Sequence, residues 1–301
     1  MNSQVVTTVQ AAPLSFSTRF ADYMQLSRPR IAFMVLVTTF LGALLAGGSQ
    51  LDATVLILTL FGTALVAAGS SIFNQLLERR YDARMARTEN RPLPAGRIGS
   101  VEVIILGTLV TMLGMVCLAV LPTGPAAAII TGVTFLLYVF AYTPAKRRTW
   151  WNTFIGAVPG ALPPLIGWAG ATGTLHWASL PLFAVLYFWQ IPHFLAIAWM
   201  YRDDYRRAGL HMLSVFDPTG RRTLLHMAIH TLLMIAASLT PVAFGAGWGY
   251  AVGAALCGLA FLCLVIRFGR NRSFDAARSI LRASIVYLPV VLCWLVIDRY
   301  C

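Results

Sequence analysis

Residues 74–97 read N-Q-L-L-E-R-R-Y-D-A-R-M-A-R-T-E-N-R-P-L-P-A-G-R. The segment leaves a long apolar run and turns abruptly polar. Asn74, Glu78 and Asp82 fall at i, i+4 and i+8. On a helix each step of four residues drifts only ~40°, so the three oxygen-bearing side chains form one stripe at a helix end. Oxygen ligands of this kind suit Mg2+, which commonly takes one or two carboxylates plus substrate phosphate oxygens. Arg79, Arg80, Arg84, Arg87, Arg91 and Arg97 follow closely, and guanidinium groups suit bidentate phosphate contacts. Spacing alone leaves two readings level: a metal-diphosphate site at a membrane surface, or a basic loop beside a solvated polar stripe.

Working outward, the chain of 301 residues is 58% apolar and only 11% charged, against roughly 25% charge in a soluble domain. Apolar stretches of about 20 residues recur, the length that a bilayer requires of a helix. The expected spans are 31–48, 53–76, 101–121, 125–143, 153–170, 177–200, 224–244, 246–266 and 281–298, giving an all-α integral membrane protein of about nine helices. They are punctuated by Gly47-Gly48, by Pro122 to Pro125, by Gly170 to Gly173 and by Gly245 to Gly249. Residues 1–28 are polar, without the apolar core of a signal peptide; they are expected to form a cytoplasmic N-terminal segment, with an amphipathic lead-in at 16–26. Residues 29–301 are expected to form one membrane domain. The five cysteines form no C-x-x-C pair, and small buried hydrophobes account for them.

The charges then set the orientation. With nine spans, every one of the 23 lysines and arginines except Arg299 falls on one face. Short basic loops stay cytoplasmic, which places the N-terminus inside and the C-terminus outside. The same asymmetry explains the net charge of +12 without nucleic acid, and a basic face suits anionic lipid headgroups. Glu78, Asp82, Glu89, Glu102, Asp203, Asp204, Asp217 and Asp275 share that face; Asp52 and Asp298 do not.

A second stretch, residues 189–212, repeats the form of the first. Gln190 and His193 lie inside an apolar span that exits into Asp203, Asp204, arginines and Gly209. Two such helix ends could clamp one polyanion. Pro192 removes a backbone donor and opens a polar niche. His193 could accept a proton, meet a substrate carboxylate or ligate iron; the competing reading is a buried histidine bonded to a carbonyl freed by Pro192. His226 and His230 share i, i+4 spacing without the glutamate of a zinc motif, which favours a solvated or packed pair at a helix start. A third stretch, residues 142–167, carries Lys146, Arg147, Arg148, Asn152 and a glycine- and proline-rich helix, tolerated in a membrane where it lines a cavity or packs closely.

Taken together these residues resemble the UbiA-type intramembrane prenyltransferases and, within them, the branch of protoheme IX farnesyltransferases. The likeness rests on N-Q-x-x-E-x-x-x-D-x-x-M-x-R-T-x-x-R-P-L-P-x-G-R-I over residues 74–98. Tyr142-Thr143-Pro144 with Lys146, Arg147, Thr149, Asn152, Gly156 and Pro159-Gly160 add to it, as do Trp189-Gln190, Pro192-His193-Phe194, Tyr201-Arg202, Asp204-Tyr205, Ala208-Gly209 and Met212-Leu213. The superfamily's second D-x-x-x-D stripe is absent: only the adjacent Asp203 and Asp204 stand there.

The resemblance implies a helical bundle with a central cavity open to the cytoplasmic face of a prokaryotic inner membrane. It implies transfer of farnesyl from farnesyl diphosphate to a vinyl group of heme B, with water added, giving heme O. Heme B is then a substrate, and Mg2+ the cofactor. Asn74, Glu78 and Asp82 would hold one metal, with Asp204 and Asp203 supporting it or a second. Arg87, Arg91, Lys146, Arg147 and Arg202 would meet diphosphate, and His193 and Gln190 the heme. Phe73, Phe154 and Trp189 would line the prenyl tail. Implied partners are membrane lipids, a second copy of the chain, and heme A synthase or the oxidase assembly machinery. Rival readings are a prenyltransferase for a quinone-type aromatic acceptor, a transporter, and a non-catalytic heme chaperone.

Overall fold

The computed structural model describes residues 16–300, and within them the regular elements are all helical. The elements are α1 (Phe16–Ser27), α2 (Pro29–Gly47), α3 (Ala53–Asp82), α4 (Ser100–Ala119), α5 (Ala126–Leu136), α6 (Thr143–Ala145), α7 (Asn152–Ala161), α8 (Pro163–Thr172), α9 (Leu180–Met200), α10 (Arg202–Ala208), α11 (Leu213–Phe216), α12 (Arg221–Leu239), α13 (Trp248–Arg270) and α14 (Phe274–Tyr300). Among the described residues, nine helical stretches are long and apolar enough to cross a membrane, as the hydropathy pattern predicts. Residues 1–15 of the expected N-terminal segment lie outside the described residues.

The differences from expectation fall at helix ends. The second span does not stop near residue 76; α3 stays helical to Asp82, because its polar tail finds partners on neighbouring elements instead of water. The last span begins at Phe274 rather than near 281. Ala276, Ala277 and Ile280 form a buried face there, so the charged start is an amphipathic turn of the same helix. The fifth span is two helices, α7 and α8, meeting at Leu162 before Pro163, where the missing proline N–H interrupts the ladder.

The fourth span carries a π-turn at Leu137–Tyr142 between α5 and α6. Pro144 supplies the cause: with no N–H it cannot bond the carbonyl one turn back, and a wider turn accommodates it. Thr143 donates both its backbone N–H and, at 2.9 Å, its hydroxyl to Tyr138 O, five residues back.

Helices approach closely where side chains are small. A Cβ on Gly42 or Gly167 would overlap the backbone carbonyls of Pro164 and Thr39 respectively, so α2 and α8 cross nearly backbone to backbone. The largest apolar core joins α7, α9, α12, α13 and α14 through Ala157, Ile191, Leu195, Met227, Phe261 and Tyr287. Phe33, Ile57, Leu109 and Trp248 face outward, as lipid-facing residues must. The amphipathic α1 docks on the end of α3: Leu26 is fully buried beside Ile72 and Leu93. The Gln75 carboxamide donates to Leu26 O at 2.8 Å, and Arg97 donates to Asp22 at 2.8 and 3.0 Å.

Candidate active site

Asn74, Glu78 and Asp82 lie on one face of α3, as their spacing requires. They are not solvated: their exposures are 0, 6 and 1%. Buried charge must be paired, and each carboxylate is. Lys146 Nζ stands 2.7 Å from Glu78 Oε1, and Arg91 Nη1 donates to Asp82 Oδ2 at 2.6 Å. Asn74 Nδ2 donates to Thr143 Oγ1 at 3.0 Å, so the π-turn fixes the asparagine. Its Oδ1 has no partner in the protein. The face therefore presents one unpartnered carbonyl oxygen at its N-terminal end, followed by two ion pairs.

Lys146 is the single lysine in the chain. Its ammonium also lies 4.4 Å from the centroid of the Tyr142 ring. Burial disfavours its charge, but Glu78 and the phenols of Tyr142 and Tyr138 outweigh that and hold its pKa above the ordinary lysine value. Arg91 goes the other way: burial and the repulsion of Arg28 lower its pKa, against the pull of Asp82. Arg28 sits at the head of α2 with φ 50° and ψ 62°, the one non-glycine residue at positive φ among the described residues. The sequence reading gave it no site role. The available signal was its place before Pro29, which disfavours an ordinary helical conformation.

The second helix end meets the first. The Arg87 guanidinium lies 5.0 Å from the Tyr201 ring and 4.7 Å from the Tyr205 ring, and Met85 is buried with Ala208 and Leu210. Arg202 stacks at 4.7 Å on Trp199. Asp203 is exposed and accepts from Arg206 at 2.9 Å, while the Asp204 side chain is 16% exposed and pairs with Arg207. Among the described residues, no three His, Cys, Asp or Glu side chains converge as a ready-made metal cage. Arg147 donates to Leu77 O and lies 4.6 Å from the Tyr81 ring. Leu77 and Tyr81 lie about 100° round α3 from the stripe, so Arg147 grips the neighbouring face.

Deeper in the bundle, Gln190 donates to Leu186 O at 3.0 Å and Ala157 O at 3.3 Å. It fits because residue 160 is glycine; a Cβ there would overlap its carboxamide oxygen. His193 Nδ1 lies 2.7 Å from Ser284 Oγ, which donates its own proton to Leu281 O at 2.7 Å. The hydroxyl must therefore accept from Nδ1–H, leaving the lone pair on Nε2. Trp189 donates to Ser284 O at 2.8 Å. Phe73 packs edge-on to Phe135 at 5.8 Å. Phe154 lies 5.1 and 5.3 Å from the rings of His226 and His230, so of the two readings, solvated or packed, the structure shows a pair packed among aromatic rings.

The protein is similar to known ones along nearly its whole length. The model of the UbiA prenyltransferase family matches residues 35–286. The protoheme IX farnesyltransferase of Solibacter usitatus is 41% identical over 288 residues, covering 92% of this chain and 98% of its own length. That of Salinibacter ruber is 43% identical over 284 residues, covering 93% and 99%. Among solved structures, one from work on digeranylgeranylglyceryl phosphate synthase in membranes matches with TM-score 0.78 at 17% identity, over 93% of this chain and 98% of its own. A UbiA homolog from Archaeoglobus fulgidus bound to GPP and Mg2+ matches with TM-score 0.69 at 14% identity, covering 91% and 99%. The two structural likenesses carry the fold, and the sequence likenesses carry the descent: this chain belongs to the UbiA prenyltransferase family, in the branch of the protoheme IX farnesyltransferases.

Proposed function

We propose that the protein transfers the farnesyl group of farnesyl diphosphate to a vinyl group of heme B, with addition of water, releasing diphosphate and heme O. The observation that carries this reading is the buried stripe of Asn74, Glu78 and Asp82, set among Arg91, Lys146 and, at the adjoining helix end, Arg87. Such an arrangement suits a polyanion that brings its own countercharge. The names of the sequence relatives select heme as the acceptor.

The donor set fits magnesium: carboxylates and an unpartnered carbonyl oxygen, all hard ligands. Asn74, Glu78 and Asp82 would hold it, with Asp204 and Asp203 approaching from the second helix end. When bound, magnesium offsets charge on the leaving diphosphate. The Archaeoglobus fulgidus homolog, solved with GPP and Mg2+, supports a divalent metal in this fold.

The chain's own groups then divide the work. Arg87, Arg91, Lys146 and Arg202, with Arg147 from the neighbouring face of α3, attract and orient the diphosphate and stabilise the charge it gains as the C1–O bond loosens. Phe73, Phe154 and Trp189 supply apolar surface for the farnesyl chain and keep water from the allylic cation. The vinyl terminal carbon of heme attacks that cation, and water captures the cation left beside the pyrrole. Gln190 and His193 lie on the acceptor side, where the His193 Nε2 lone pair can take the proton of the capturing water or meet the heme iron. The near-complete confinement of the cations to one face supports a site at the cytoplasmic side, with the N-terminus inside and the C-terminus outside.

The test is purified protein with heme B, farnesyl diphosphate and Mg2+, read by mass spectrometry. A product heavier by farnesyl plus hydroxyl is expected, and chelation of the metal abolishes it. Prenylation of an aromatic quinone precursor with heme untouched would refute the assignment.

A further inference from the structure

Behind Lys146, two loops are tied to each other by one side chain. Asn152, the first residue of α7, is fully buried. Its carboxamide nitrogen donates to Thr149 O at 2.7 Å and to His211 O at 2.7 Å. The backbone N–H of His211 in turn donates to Lys146 O at 2.7 Å. A carboxamide nitrogen has two protons, and here both are spent, one on each loop. The loop after α6 is thus stapled to the turn after α10, and the staple closes on the peptide of Lys146 itself. From that peptide the lysine side chain reaches Glu78 and the Tyr142 ring. A flexible four-carbon stem locates a charge only as well as its own backbone is held.

We infer that Asn152 is a positioning residue that acts through Lys146: by strapping residues 146–149 to His211, it fixes the ammonium over Glu78 and couples the two helix ends that flank the diphosphate site. The inference rests on the reading of Lys146 as a diphosphate contact. It also explains why an amide is needed at a site this enclosed. An aspartate would set carboxylate oxygens against two carbonyls, and an alanine would leave the His211 carbonyl without its donor and Thr149 O with only the 3.3 Å bond from the backbone N–H of residue 152.

Because Lys146 is the only lysine, acylation by acetic anhydride, followed by peptide mass spectrometry, reports its confinement directly. In Asn152→Ala the rate of Lys146 acylation should rise about tenfold, and the dissociation constant for farnesyl diphosphate, measured without heme, should rise about tenfold. The double variant Asn152→Ala/Lys146→Met should bind no more weakly than Lys146→Met alone, since residues acting as one unit are not additive. His211→Ala keeps both backbone bonds and should leave acylation and binding unchanged. Unaltered acylation in Asn152→Ala, or losses that multiply in the double variant, overturn the inference. Should Asn152→Ala not fold, amide exchange on the native protein decides instead: slow exchange at His211 is expected, and exchange at the rate of an open loop overturns it. Native protein that shows the strap but fails to farnesylate heme would fault the proposed function alone.

Discussion

Replacing Asp82 by asparagine keeps shape and removes one charge from the C-terminal end of the stripe. Asp82 is 1% exposed and 2.6 Å from Arg91, whose side chain is 24% exposed. Removing one partner of a fully buried pair costs about 3–5 kcal/mol. Arg91 keeps some access to solvent, so the stability loss should be nearer ~2 kcal/mol. Catalysis should suffer more. A group that stabilises developing charge contributes a factor of about 10²–10³, or roughly 3–4 kcal/mol, when removed singly. The assay is heme O formation by the purified variant at saturating substrates, at a temperature below the melting transitions of both proteins. A drop of at least about a hundredfold in kcat, with the variant still folded, is expected. Activity within about threefold of native would refute the placement of the reaction at this stripe, because no group holding the leaving diphosphate is dispensable to that degree.

Four further outcomes follow from the same geometry. Gly160→Ala drives a methyl into the Gln190 carboxamide; overpacking of this kind costs about 1–3 kcal/mol, seen as a lowered melting temperature together with weaker heme affinity, and an unchanged melt would contradict the packing. Ser284→Ala frees the His193 tautomer that Ser284 sets; heme binding followed by absorbance should weaken while farnesyl diphosphate affinity stays at the native value, and a loss in both would argue against an acceptor-side role. Arg28→Gly relieves a positive φ and removes a charge that repels Arg91; stability should rise by about 1 kcal/mol while diphosphate binding weakens, and a fall in stability would rule out the strain. The pKa of Lys146 is raised in the folded state, so its ion pair contributes fully from neutral pH up to the ordinary lysine pKa of about 10 and is lost only above it, as the ammonium gives up its proton. Melting temperature should therefore not fall between pH 7 and 9 on account of this pair, and a titration there that Lys146→Met abolishes would contradict the pairing.

The likeness of the three motif blocks to one family extends through the whole site, yet the polar residues in those blocks differ in how far their positions could be anticipated. Asn74, Glu78 and Asp82 share a face because helical periodicity alone demands it. That they are buried, and by what, depends on Lys146 and Arg91 arriving from other segments. Arg147 neighbours Lys146 in the chain but turns to Leu77 and Tyr81 on the next face of α3, a divergence that no spacing rule foretells. Arg28 and Asn152 entered the reading without a role, because each acts through contacts with residues distant in the chain.

What the sequence determined by itself was the set of membrane-spanning helices, the crowding of cations on one face and the stripe at the end of α3. Each follows from a local cause: a bilayer of fixed thickness with no water for the backbone, the retention of basic loops, and a turn of 3.6 residues. The tertiary structure alone decided which charges neutralise which, where the π-turn sets Thr143 against Asn74, and how Asn152 joins two loops behind Lys146. Those outcomes depend on the relative placement of separate helices, fixed by close packing at residues such as Gly42, Gly160 and Gly167. A buried charge takes whichever partner that packing brings within reach.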